Sequence, residues 1–78
     1  MNAPDAVAIV LRDLRRHWQQ HPQAADTSAG IARWWLAPAA READVLAALQ
    51  QLQREGCVHP QAAADGRVRW RWRWTAPG

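Results

Sequence analysis

An α+β fold of three helices closed by a C-terminal β-hairpin is what this 78-residue chain predicts, and three observations carry it. Apolar residues recur three and four apart near the N-terminus and again in the second half, the spacing of amphipathic helices. The stretch Arg67-Val68-Arg69-Trp70-Arg71-Trp72-Arg73-Trp74 alternates without a break. Side chains on a strand point to opposite faces with a period of two, so the Val and Trp residues share one face and the four Arg the other. Asp65-Gly66, immediately before that strand, is hairpin turn chemistry.

The first helix spans about residues 5–20. Asn2 or Asp5 can cap it, and Pro4 is tolerated in a first turn. Val7, Val10, Leu11, Leu14 and Trp18 form its apolar stripe, with Arg12, Asp13, Arg15, Arg16 and Gln19 on the other side. His21-Pro22 ends it, because the residue before proline is pushed out of the α region. A short connection follows, in which Ala24 and Ala25 can form a brief extended segment.

Asp26, Thr27 or Ser28 offers the next N-cap, and a short second helix is expected over 28–36 with Ile31, Ala32 and Trp35 on one side. Gly30 weakens it locally. Pro38 breaks it and can begin a third helix, expected over 39–55 with a spine of Val45, Ala48, Leu49 and Leu52. Arg54 suits the negative end of that helix, and Gly56 reads as the left-handed residue just past it. Cys57-Val58-His59 is extended, Pro60 limits its pairing, and Gln61 to Ala64 reads as loop. One domain over 5–74 is expected, with a disordered N-terminus over 1–4 and a disordered tail over 75–78.

The pattern Ile31-Ala32…Val45…Leu49…Leu52…Gly56-Cys57-Val58 resembles winged helix-turn-helix domains. The resemblance covers nearly the whole chain. Its most specific part is the third helix ending in Leu-Gln-Gln-Leu-Gln-Arg-Glu-Gly-Cys-Val, followed by a hairpin. It implies a three-helix core closed by a β-hairpin wing and a small DNA-binding protein of the bacterial transcription-regulator kind. Trp34-Trp35-Leu36-Ala37-Pro38 is bulkier than the small-residue turn usual in that family.

Charge bears on that implication. The chain has ten Arg, no Lys, seven acids and a formal net charge of +3. The whole positive excess lies in the alternating strand, because the remaining residues carry six Arg against seven acids. Arg67, Arg69, Arg71 and Arg73 are therefore the leading candidates for phosphate contact. The guanidinium fork binds phosphate bidentately, and strand geometry spaces successive Arg by about 7 Å. The competing reading is a solvated edge that keeps the strand soluble. An Arg/Trp run can also seek a membrane interface, a reading that requires the Trp face to be free. Trp70, Trp72 and Trp74 could stack nucleobases. In a chain with six Trp and no Phe or Tyr, their expected role is instead to fill the core with Trp18 and Trp35.

The third helix would be the reader of base edges, and it is poorly furnished for that. Its outward face is Ala40, Ala43, Ala47, Gln50 and Arg54, with Asp44 and Gln51 flanking. Modest contacts are expected from Arg41, Gln50, Gln51 and Arg54, while Glu42 and Asp44 would repel phosphate. An Ala-rich face allows close approach of another helix. The alternative function is therefore a protein-interaction module on the same scaffold, using Trp34, Ala43 and Ala47 toward a protein partner or a second copy.

No catalytic constellation is present: there is no glycine-rich phosphate loop and no paired-carboxylate signature, and no enzyme activity or small-molecule substrate is expected. His17 and His21 are four apart, and Cys57 and His59 two apart. They could supply four metal ligands if the two pairs met, but nothing in the spacing joins them, and the expectation is no metal and no cofactor. A single cysteine, no signal-peptide pattern and no transmembrane-length apolar run lead to the expectation of a cytoplasmic protein without membrane contact.

Overall fold

A computed structural model describes residues 5–36 and 38–73. Three helices pack on one face of a three-stranded antiparallel sheet. In chain order the elements are α1 (Ala6–Gln20), β1 (Ala25–Asp26), α2 (Ser28–Gly30) continuing as a π-helical turn (Ile31–Trp35), α3 (Glu42–Arg54), β2 (Val58–Ala62) and β3 (Val68–Trp72). The expectations for residues 1–4, for Trp74 and for the tail lie outside the described residues. No helix among the described residues is long and apolar enough to cross a membrane.

Asp5 caps α1, its Oδ1 accepting the Val7 N–H at 2.9 Å. The helix turns Val10, Leu14 and Trp18 into the core. It ends at His21, as the following proline requires. Thr27 supplies the cap of α2: its Oγ1 accepts the Gly30 N–H at 3.1 Å, while the Asp26 carboxylate accepts the Thr27 N–H at 2.7 Å. The expected regular helix over 28–36 does not persist. From Ile31 to Trp35 it widens to π geometry. The wider turn buries Ile31 and Ala32, with Leu36 after them, and lays Trp35 against Trp18 and His17.

Helix α3 begins at Glu42, three residues later than the spacing predicts. Ala40 is therefore not on its outward face. It lies in the preceding connection, packs against the core, and donates its N–H to the Ala32 carbonyl at 3.0 Å. The spine of Val45, Ala48, Leu49 and Leu52 is fully buried as expected. At the other end Gly56 has φ +79°. The Cys57 N–H reaches the Leu52 carbonyl at 2.8 Å and the Gly56 N–H reaches Gln53 at 3.0 Å. This Schellman arrangement satisfies two of the carbonyls left over at the helix end.

The sheet order is β1-β3-β2, so the Arg/Trp strand is central and not an edge. Its solvent-edge reading is thereby corrected: the edges are the two-residue β1 and β2. β2 runs through Pro60 to Ala62, where a loop was expected. Register explains why proline is tolerated. The Arg73 N–H bonds Cys57 and the Ala63 N–H bonds Arg67, both at 2.8 Å, which marks alternate facing pairs as hydrogen-bonded. Pro60, opposite Trp70, falls between such pairs. Its nitrogen faces away from β3, where no donor is needed. The hairpin closes through Ala64-Asp65-Gly66: the Gly66 N–H donates to the Ala63 carbonyl at 3.0 Å, and Gly66 has φ +84°. The Asp65 side chain holds the turn by accepting the Arg67 N–H at 3.0 Å.

The inner face of the sheet covers the helices unevenly. Trp70 is buried and Trp72 half-buried against Trp18. Val68, placed on the same face by the alternation, stays 41% exposed, beside an open groove between β3 and the starts of α2 and α3. Trp18 sits at the centre. Its indole N–H donates to the Ala24 carbonyl at 2.9 Å, and its ring meets Trp35 edge-on at 5.1 Å and Trp72 at 5.7 Å.

Candidate nucleic-acid interface

The outer face of the sheet is built by the alternation of β3 and by the register of its neighbours. Cross-strand partners share a face. Arg69 lies opposite Gln61, and Arg71 lies between His59 on β2 and Ala25 on β1. Arg69, Arg71 and Arg73 are all exposed. Among the described residues none of these three has a carboxylate within ion-pair distance, whereas Arg67 lies 3.9 Å from Asp65 at the turn. Two further ion pairs form on the helices. Arg15 pairs with Glu55 at 2.7 Å and Arg12 with Asp13 at 3.3 Å, both exposed. The Glu55 carboxyl is held below its ordinary value by the hydrogen bond from Arg15, with Gln51 assisting.

His59 and Gln61 belong to this face and were not among the expected site residues. The signal that finds them is the turn. Counting outward from a three-residue Ala64-Asp65-Gly66 loop sets the register and places both beside the Arg row. His59 is half-buried, and its Nδ1 is enclosed without a hydrogen-bond partner.

The helical candidates are scattered. Arg41 is the N-cap residue of α3, is exposed, and makes no side-chain cap. Gln50 and Arg54 are exposed, but Gln51 is half-buried and its Nε2 donates to Glu55, one turn on at the end of α3, at 3.2 Å. Glu42 accepts a hydrogen bond from the Ser28 hydroxyl at 3.0 Å, which ties its charge to the start of α2. Of the residues considered for protein contact, Trp34 is 73% exposed, with the Arg33 guanidinium 4.9 Å above its ring. Ala43 is exposed and Ala47 half-buried on α3.

Beside Leu46, a groove of about 610 Å³ runs between the start of α2, the first turns of α3 and the start of β3, lined also by Ala29, Val68 and Trp70. His17 and His21 lie side by side at the end of α1, ring centres 4.9 Å apart. Among the described residues no three His, Cys, Asp or Glu side chains gather around one point, so the His17/His21 and Cys57/His59 pairs are not joined in one site. No protein-family model, no curated protein and no solved structure matches this chain.

Proposed function

We propose that the protein is a small winged-helix DNA-binding protein that holds duplex phosphates mainly through the outer face of its central strand. The observation that carries this reading is the row of Arg69, Arg71 and Arg73, exposed on one face and free of ion-pair partners among the described residues. Solubility alone does not call for such a row on a central strand. The element order, with a short β1 returning to pair with the hairpin, also suits a winged helix. Arg67, at the turn, and Arg41, Gln50 and Arg54 on α3 add peripheral contacts. Among the described residues Trp70 and Trp72 lie on the opposite, inner face and His59 is the one ring beside the Arg row, so the outer face suits backbone phosphate better than stacked bases.

Binding of this kind is electrostatic and falls steeply with salt through counterion release. Replacing Arg69 and Arg71 together by Gln removes two contacts. It should weaken binding to unrelated duplexes about equally and reduce the slope of log K against log salt by about 2. Fluorescence anisotropy with random duplexes at several salt concentrations measures both. Undetectable binding at low salt, or an unchanged slope in the double variant, would overturn the reading.

A second reading rests on one observation, the 73% exposure of Trp34. An indole so exposed suits a contact with a protein partner or a second copy, assisted by Ala43 and Ala47. Sedimentation of the wild type and of Trp34→Ala separates the two readings, because loss of the indole abolishes association only if it is the contact.

A further inference from the structure

The end of α1 carries a feature that neither reading uses. His17 lies in the last turn of α1 and His21 is the residue that ends it, and their ring centres lie 4.9 Å apart. An imidazole nitrogen sits about 2.0–2.1 Å from a bound zinc ion. With the ring centre about 1.1 Å behind that nitrogen, two imidazoles sharing one ion at angles between square and tetrahedral have ring centres about 4.5–5.2 Å apart. The observed separation falls within that interval before any ion is present.

Two further observations favour a ligand here. The His17 ring is fixed by stacking on Trp35, centres 4.2 Å apart and planes 24° apart. That contact occupies a ring face and leaves the nitrogens at the ring edge. An open cleft of about 640 Å³, lined by His17, His21, Pro22, Gln23 and Ala24, lies in front of the pair and has room for an ion with its water. The charged groups beside the pair are Asp13 and Arg16, which line the adjoining cleft with His17 and Gln20 on α1 and with Trp35 and Leu36.

We propose that His17 and His21 form a two-imidazole site for a borderline divalent metal ion such as zinc or nickel, with water completing the coordination. Neutral imidazole suits these ions. The proposal does not depend on DNA binding or on self-association.

The test is a titration of the untagged, full-length chain with zinc or nickel chloride, read by the NMR signals of the three histidine rings and by calorimetry. The signals of His17 and His21 should move or broaden together, with His59 unaffected. His17→Gln and His21→Gln should each weaken binding tenfold or more while far-UV circular dichroism shows α1 intact. His21 ends the helix and is exposed, so its variant remains informative if the His17 variant fails to fold. The proposal is overturned if the histidine signals do not respond at millimolar metal, if the response centres on Cys57 and His59, or if a folded His21→Gln variant binds as tightly as the wild type.

Discussion

Trp18 joins three parts of the molecule with one side chain. It is 1% exposed, its N–H is bonded to the connection after α1, and its ring touches the π-helical turn and β3. Trp18→Ala should cost about 3–5 kcal/mol, a large share of what a domain this small can have. Trp18→Phe should cost less, since it keeps an aromatic body and loses the bond to Ala24. Urea unfolding of both variants measures the difference. Its neighbour His17 gives a pH dependence of known sign. A lowered imidazole pKa means that the unfolded chain binds the proton more readily than the folded one. The stability contributed by a neutral His17 is full above the ordinary histidine value of about 6.5 and is lost as pH falls through the lower folded value. The urea midpoint should therefore fall as pH is lowered below about 6.5, and His17→Gln should flatten that fall.

At the scale of elements, glycine positions separate two kinds of constraint. Gly56 has φ +79° and open space where a Cβ would go, so Gly56→Ala is costly only through the backbone, by about 1 kcal/mol. Gly30 has an ordinary helical backbone, with φ −64°. There a Cβ would collide with the carboxylate of Asp26, which is bonded to the Thr27 N–H. Gly30→Ala should thus destabilise the wild type. In an Asp26→Ala background the collision is gone, and the same substitution should become neutral or favourable, as Ala for Gly is in a helix. Thermal unfolding of the four proteins of this cycle tests the assignment, and equal costs in both backgrounds would refute it.

The span of α1, the caps at Asp5 and Gly56 and the turn at Asp65-Gly66 were legible in the sequence, because each depends on neighbours within about one turn. The π-helical widening and the late start of α3 were not. They fall where Trp35, Leu36 and Ala40 pack against the core, through contacts with residues distant in the chain. The length of β2 was misread because Pro60 excludes pairing on only one of its two sides, and the exposed side is decided by register.

Across the whole molecule, exposed pairs such as Arg15–Glu55 contribute little to stability, but they neutralise charge where they stand. The net positive excess of the sequence lies in the segment that forms the central strand, which gives the protein an uneven field. Association with a polyanion should therefore be steered toward that strand, with an on-rate that drops as salt rises from 50 to 200 mM. Stopped-flow measurements should show the drop in the wild type and a weaker one in the Arg69→Gln/Arg71→Gln variant.

The alternation of Arg67 to Trp74 by itself determined a strand with one cationic and one aromatic side, because the two-residue period is a local property of the chain. It also placed the positive excess in a single segment. Only the tertiary structure decided that this strand is central, that His59 and Gln61 stand beside its Arg row, that Val68 stays exposed, and that Trp34 stays outside the core. Those outcomes depend on which edges pair and how the helices pack on the sheet. They are sums over contacts between residues distant in the chain, which no local period can express.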